Sequence, residues 1–244
     1  MYKCFNGFQT PSLWLLQSGR ALMFFTAIML LGACKTSTPL QSGSFSDTKF
    51  YESVIPRDAE QILLVVKNLT DSLFQVSMLT LERKSGKMVT VFPPIKVSLG
   101  KSGIVSAVVK REGDGATPAG FYPLGQLYTY EASVNTQLSF TQVTGEDKWI
   151  DDPDSPEYNQ HVRGATLAKS YENLLLSSID YKYCMVIEYN THPVIKGKGS
   201  AIFFHVTNDK YTSTAGCVAV QERDMLQILS WLHPKKKKYV GIIL

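Results

Sequence analysis

Cysteine is scarce in this chain: only four occur in 244 residues, and none forms a Cys-x-x-Cys pair. His-x-x-x-His spacing is missing as well, so the sequence carries no signature of a zinc site. The acidic stretch at residues 151–159 (DDPDSPEYN) lacks the glycine and the terminal glutamate of a calcium loop. We therefore expect no bound metal and no cofactor.

A surplus of one charge is missing too. The formal net charge is +4, and it falls to +2 without the first 33 residues, whose only charged side chains are Lys3 and Arg20. A nucleic-acid-binding domain typically carries a dense basic face. We therefore expect no nucleic-acid partner.

The apolar run at residues 21–33 (ALMFFTAIMLLGA) has 13 residues, whereas a membrane-spanning helix needs about 20. This length is typical of the apolar centre of a signal peptide. The run ends in Leu31-Gly32-Ala33-Cys34, which resembles the bacterial lipobox. The resemblance implies cleavage before Cys34, a lipid on its sulfur and a chain tethered to a membrane.

Two alternatives to the lipid anchor stay open, namely an ordinary cleaved signal and an uncleaved anchor with a cysteine there by chance. Lys35 follows the cysteine in place of an aspartate, which in enteric-type bacteria favours the outer membrane. We expect a lipid-anchored monomer on the periplasmic side of the cell envelope.

The composition then divides the rest of the chain in two. Residues 36–47 (TSTPLQSGSFSD) are rich in Ser, Thr, Gly and Pro, which is typical of a flexible linker. We expect a signal peptide at residues 1–33, a tether at 34–55 and one domain at 56–244. That domain is long enough to bury a core.

Short β-branched or alternating runs, separated by Gly, Pro, Asn and Asp clusters, dominate this domain. They lie at residues 61–66, 73–82, 87–92, 104–110, 183–189, 200–206, 217–220 and 239–244. The segment 222–232 places apolar residues on one helical face and ends before Pro234, and a second helix is expected at 171–179. The pattern predicts one mainly-β domain, a barrel or a sandwich with one or two short helices.

Cys4 lies in the expected signal peptide and Cys34 is the expected lipid site, which leaves Cys184 and Cys217. Cys184 lies in the alternating run YKYCMVIEY, so we expect a buried packing residue rather than a disulfide partner. Cys217 is then a lone thiol directly after Gly216 and twelve residues beyond His205. A histidine that takes the proton of such a thiol makes a thiolate–imidazolium pair able to attack a carbonyl.

Gly216 allows a tight turn, so the amides of Gly216 and Cys217 are candidate donors to an oxyanion. The alternative interpretation is a buried cysteine and a structural histidine that are neighbours only in sequence. The other histidines, His161, His192 and His233, lie in polar or proline-flanked segments and are weaker candidates.

The stretch HVTNDKYTSTAGCVAV resembles the catalytic motif of the L,D-transpeptidases, the YkuD-type cysteine enzymes of peptidoglycan. In that family a histidine precedes a [Ser/Thr]-x-Gly-Cys signature, as His205 precedes residues 214–217 here. A second signature, Thr-Pro-x-Gly and an aromatic residue, is matched by residues 117–121. WIDDPDSPEYN (149–159) and GKGSAIFFH (197–205) resemble segments of one bacterial branch. The likeness therefore extends over most of the exported domain.

The resemblance implies a role for each matching residue. Cys217 is the nucleophile that becomes acylated, and His205 is its general base and acid. Thr214 supports the loop of the site. Gly216, together with Cys217, offers backbone amides to the oxyanion.

We also expect Tyr158, Asn159 and Tyr211 to bind the substrate, with the segment around Tyr158 lining or bracing the cleft. The chain departs from the family pattern at two positions. Many members have a histidine two residues before the cysteine and an arginine two residues after it, where this chain has Ala215 and Ala219. Any contact of that arginine with the stem peptide is therefore missing.

The implied reaction acts on peptidoglycan stem peptides. Cys217 attacks the carbonyl of an L-centre, typically of diaminopimelate, in a tetrapeptide stem and releases the terminal D-Ala. An amine of another stem then resolves the thioester as a 3→3 cross-link. The alternative acceptors are a lipoprotein lysine, a free D-amino acid and water, and water would make the protein an L,D-carboxypeptidase or an amidase. The rival class is a non-catalytic wall-binding lipoprotein, which needs neither His205 nor Cys217.

Overall fold

The computed structural model describes residues 49–67, 76–207 and 212–244. The expected signal peptide, the proposed lipid site Cys34, most of the expected tether and Tyr211 lie outside the described residues. In the described ranges no helix has both the length and the apolar character needed to cross a membrane.

The described chain is mainly β, which confirms the expected fold class. The helices are α1 (Lys49–Glu52) and α2 (Glu222–Trp231). The strands, in chain order, are β1 (Gln61–Lys67), β2 (Val76–Lys84), β3 (Lys87–Thr90), β4 (Ile95–Lys96), β5 (Ile104–Ser106), β6 (Thr117–Thr129), β7 (Phe140–Gln142), β8 (Asp147–Ile150), β9 (His161–Arg163), β10 (Tyr171–Asn173), β11 (Tyr183–Ile187), β12 (Phe203–Thr207), β13 (Val218–Gln221) and β14 (Lys238–Ile242).

Most of the strands belong to one curled sheet with the order β13-β12-β11-β6-β14-β1-β2-β3. Strand β4 pairs with β2, while β5 and β7 pair with β6. The chain after β4 returns to the opposite edge, where Ser98 and Ala219 exchange backbone hydrogen bonds of 2.8 and 2.9 Å. Gly100 also bridges to Thr214. These contacts join the two ends of the sheet next to β13.

Two layers of apolar side chains hold the sheet in this shape. Strand β1 is buried on both faces from Gln61 to Val66, because one face meets the barrel interior and the other meets the segment around Ile55. Helix α2 forms as its apolar spacing predicts, with Met225, Ile228 and Leu229 buried in the main core.

A small second sheet, ordered β10-β8-β9, covers the face that carries β11 and β12. The helix expected at 171–179 is wrong, because the chain there forms strand β10, in which Tyr171 lies opposite Ile150. Leu175 and Ile179 are 41% and 44% exposed, so this segment has no continuous apolar stripe to bury as a helix. Pairing with β8 satisfies its backbone instead.

Candidate active site

Cys217 and His205 are brought together by parallel pairing of neighbouring strands. His205 lies in β12 opposite Ala219 of β13, and Cys217 immediately precedes β13. Since side chains alternate between the faces of a sheet, this register puts Cys217 and His205 on the same face. Both side chains line one cleft of about 400 Å³.

The loop before Cys217 is held by the hydroxyl of Thr214. This hydroxyl donates to the carbonyl oxygen of Cys217 at 2.8 Å and accepts from the amide of Gly216 at 3.1 Å. Gly216 has φ +149°, and a Cβ there would lie 2.9 Å from the carbonyl oxygen of Ala116. The position therefore requires glycine, both for its backbone conformation and for space.

The hydrogen bond between Gly216 and Thr214 decides which of the two predicted amides is free to bind an oxyanion. The Gly216 amide is engaged with Thr214 inside the loop. The amide of Cys217, next to the thiol itself, is then the better candidate for an oxyanion.

The Cys217 thiol is only 5% exposed and lies at the floor of the cleft. Its Sγ accepts from the amide of Phe203 and donates to the carbonyl oxygen of Ala201, both at 3.3 Å. Burial raises the pKa of Cys217 to about 12, and the nearby Glu172 carboxylate adds to this rise. Cys217 is therefore a neutral thiol near pH 7.

His205 is held in one orientation by its Nδ1, which lies 2.7 Å from the carbonyl oxygen of Val206 and 3.0 Å from that of Asp180. Two acceptors at Nδ1 mean that this nitrogen carries a proton, so the neutral ring presents Nε2 as the base. Burial lowers the pKa of His205, although these two carbonyls oppose the effect. The free cleft thus holds a neutral pair instead of the thiolate–imidazolium pair expected from the sequence.

Tyr158 and Asn159 lie beneath the cleft, at 1% and 3% exposure, and not on its surface. The Tyr158 hydroxyl donates to the carboxylate of Glu112 and accepts from the Gly199 amide at 3.1 Å. The Asn159 Oδ1 accepts from the amide of Ala201 at 3.0 Å. Because both residues fix the segment that carries Ala201, the structure favours a bracing role over the expected contact with substrate.

Cys184 is a free, fully buried thiol in β11, opposite His205 of β12. It is two strands away from β13, a separation of about 10 Å at the usual strand spacing. A disulfide requires Cα atoms within about 7 Å. The strand order therefore places Cys184 and Cys217 too far apart to form a disulfide.

The structure adds site residues that the sequence pattern did not reveal. Glu172, on β10, lines the cleft and accepts a hydrogen bond from the hydroxyl of Tyr181. The Tyr181 ring packs edge-on against His205, with centroids 5.2 Å apart. The sequence did not identify Glu172 as a cleft residue, because its segment was expected to be a helix.

Over the described ranges, no three His, Cys, Asp or Glu side chains group closely enough to hold a metal ion.

A thiol and an imidazole base lining one cleft are the parts of a cysteine-dependent acyl-transfer site. The family comparison agrees with this class, because the L,D-transpeptidase catalytic domain (YkuD) family matches residues 71–240. This match covers more than half of the 244 residues. The chain belongs to the YkuD family of L,D-transpeptidase catalytic domains, which confirms the resemblance seen in its motifs.

Among solved structures, the chain is similar to the helical cell shape determining protein Pgp2 from Campylobacter jejuni, with 18% identity and a TM-score of 0.39. The similarity covers 82% of this chain and 56% of that chain, so the present chain spans little more than half of that protein. Comparison with curated proteins gives no match.

Proposed function

We propose that this chain is a peptidoglycan L,D-transpeptidase of the cell envelope. Cys217 is acylated by a tetrapeptide stem with release of the terminal D-Ala, and the acyl group then passes to an amine. The observation that supports this most is that Cys217 and His205 line one cleft in a chain of the YkuD family.

Acylation begins with the thiol turning from Ala201 toward the ring of His205. Nε2 takes the proton, and the thiolate attacks the stem carbonyl, forming a C–S bond. The amide of Cys217 stabilises the oxyanion. The C–N bond then breaks as His205 returns its proton to the leaving amine of D-Ala, which leaves a thioester on Cys217.

Deacylation uses the same residues in the opposite sense. A neutral acceptor amine attacks the thioester carbonyl, His205 removes the extra proton from its nitrogen, and the C–S bond breaks. The proton finally returns to the sulfur of Cys217. A stem amine gives a cross-link, whereas water in the same place gives a shortened stem and an L,D-carboxypeptidase.

We further propose that Cys34 anchors the chain by a lipid on the periplasmic side of a membrane, with the outer membrane favoured. The support is the Leu31-Gly32-Ala33-Cys34 sequence after an apolar run. A peptidoglycan substrate agrees with this location. A monomer is sufficient for the reaction, because one chain contains both Cys217 and His205.

Incubation of the purified protein with tetrapeptide-rich sacculi, followed by mass analysis of muropeptides and assay of D-Ala, tests the proposal. D-Ala with 3→3 dimers supports transpeptidation, and D-Ala with tripeptides alone supports the carboxypeptidase. Cys217→Ala is expected to release none. Cys184→Ala is the matched control and is expected to behave as wild type. A folded wild-type protein that neither releases D-Ala nor forms a mass adduct with a carbapenem would leave only wall binding.

A further inference from the structure

The cleft around Cys217 carries an excess of negative side chains. The charged residues that line it in the described chain are Lys110, Glu112, Asp151, Glu172 and Asp180. Lys110 is the one cation of this set, and it is already bound to Asp114 at 2.7 Å and to the carbonyl oxygen of Arg111 at 2.9 Å. A ligand that enters the cleft therefore meets carboxylates whose charge the lining does not balance.

Glu172 is the carboxylate most closely tied to the reacting groups. Its Oε2 accepts from the hydroxyl of Tyr181, whose ring packs edge-on against His205 and against Phe203. The amide of Phe203 in turn donates to Cys217. Burial raises the pKa of Glu172, and the charges of Asp151 and Glu112 raise it further. Those charges reach Glu172 across the cleft, so the three carboxylates act on a common space.

Asp151 supplies an independent sign of a missing partner. Asp151 lines the same cleft, and its buried Oδ1 has no hydrogen-bond partner among the described residues. A buried carboxylate oxygen without a donor is costly. A donor on a ligand bound in the cleft would satisfy it.

We propose that Glu172, assisted by Asp151, binds the ammonium group of a stem peptide in the acylation cleft. This inference rests on the proposed function and names what that site recognises. An ammonium provides both the positive charge and the N–H donors that the two carboxylates need. The group comes either from the side chain of the donor stem or from the acceptor, whose ammonium passes one proton to the Glu172 carboxylate before the neutral amine attacks.

Binding of this kind also changes the nucleophile. The carboxylate of Glu172 opposes ionisation of Cys217. An ammonium of the donor stem bound to Glu172 cancels that charge, so the pKa of the thiol falls when this stem enters. The thiol then stays protected while the cleft is free and becomes reactive with the stem in place.

The donor arm of the test compares two tetrapeptide stems, one with a free side-chain amine on its third residue and one with that amine acetylated. D-Ala release gives kcat/KM for each stem. Wild type is expected to prefer the free amine by about tenfold or more, and Glu172→Gln is expected to lose this preference. A change in the ratio separates recognition from a general defect, which would slow both stems equally. Glu146→Gln, an exposed carboxylate outside the cleft, is the matched control.

The acceptor arm follows transfer from protein already acylated with the acetylated stem, as a function of the concentration of an added stem amine. If Glu172→Gln loses the preference for the free amine in the donor arm, Glu172 binds the side-chain ammonium of the donor stem. A several-fold rise in the acceptor concentration needed by Glu172→Gln assigns it to the acceptor amine. Asp151→Asn is expected to show the same change more weakly.

Unchanged behaviour in both arms, in a Glu172→Gln protein that melts like wild type and releases D-Ala, would overturn this inference and leave the proposed function intact. Wild-type protein that releases no D-Ala from either stem would overturn the proposed function, and this inference with it.

Discussion

The thiol of Cys217 donates to the carbonyl oxygen of Ala201, 3.3 Å away, and not to the base that the sequence assigns to it. Ala201 is fixed in turn by Asn159, whose Oδ1 accepts from the Ala201 amide. The free protein thus holds Cys217 as a buried, hydrogen-bonded thiol. This arrangement has direct consequences for reactivity.

We expect alkylation of Cys217 by uncharged iodoacetamide to accelerate about tenfold per pH unit between pH 7 and pH 10, without a plateau. The reason is that burial raises the pKa of the thiol to about 12, so the thiolate fraction grows throughout this range. Intact-mass kinetics measure it, with Cys217→Ala reporting any labelling elsewhere. A plateau below pH 8 would reveal a preformed thiolate–imidazolium pair and contradict the assignment.

Gly216→Ala is expected to lower the free energy of unfolding by about 1–3 kcal/mol and to abolish acylation of Cys217. The new Cβ would lie 2.9 Å from the carbonyl oxygen of Ala116 at a φ of +149°. Denaturant unfolding and carbapenem adduct mass provide the two measurements. Gly145→Ala, where a Cβ meets nothing within 4 Å, is the control. Acylation at the wild-type rate would show that the loop tolerates displacement.

Asn159→Asp is expected to destabilise the fold by about 3 kcal/mol or more and to slow acylation. The Asn159 amide donates to the carbonyl oxygens of Tyr189 and Asn190 at 3.1 and 2.8 Å, and a carboxylate can donate to neither. Thermal and urea unfolding measure the change. Exposed Asn135→Asp should have little effect. Normal stability with a selective rise in KM would instead restore the role in substrate binding.

Asp147→Asn is expected to lower the free energy of unfolding by about 2 kcal/mol at pH 7, at a site outside the Cys217 cleft. The fully buried Asp147 carboxylate binds His161 at 2.7 Å and Arg163 at 2.8 Å, and hydrogen bonds with these partners and with Thr144 hold its pKa well below the usual range, outweighing its desolvation.

A carboxyl with a lowered pKa in the folded state stabilises the protein above its unfolded pKa of about 3.9 and loses that contribution as the pH falls. The difference between wild type and Asp147→Asn should therefore shrink below about pH 4 in urea unfolding. Asp154→Asn, at an exposed ion pair with Lys169, should differ little from wild type at any pH. A constant difference down to pH 2 would mean that Asp147 acts through packing alone.

Cys34→Ser is expected to release the chain from the membrane fraction or to leave the precursor uncleaved, because Cys34 is the proposed site of the lipid. Fractionation of cells and mass analysis of the N-terminus measure both outcomes. Processing and membrane association equal to wild type would show that the lipobox assignment is wrong.

The sequence predicts most of the strands that alternate regularly, but among those it misses is β6, at the centre of the main sheet. Strand β6 reads TPAGFYPLGQLYT, and its two prolines and two glycines argue against a strand. It forms because its pairing changes along its length. Pro118 pairs with Val105 of the short β5, and Pro123 lies near the end of the ladder with β14. Local propensity cannot show such a change of partner.

The site was predictable to the extent that it lies in one continuous motif. His205 and Thr214 to Cys217 are neighbours in sequence, and strand pairing places them at one cleft. Glu172 comes from a separate small sheet, so only tertiary structure shows that it faces Cys217. The protonation state of the Cys217 thiol could not be predicted from the sequence either, because it depends on how deeply the thiol is buried.

The backbone bridge between Ser98 and Ala219 has a consequence for how a peptide can dock. Strand β13, at the end of the sheet beside Cys217, would otherwise offer an open edge, to which an extended peptide can add as a further strand. Here the amide and carbonyl of Ala219 are already occupied by Ser98. Strand addition at Ala219 is therefore blocked, so a peptide that docks beside Cys217 is recognised through its end groups and side chains and not through a further strand pairing with β13.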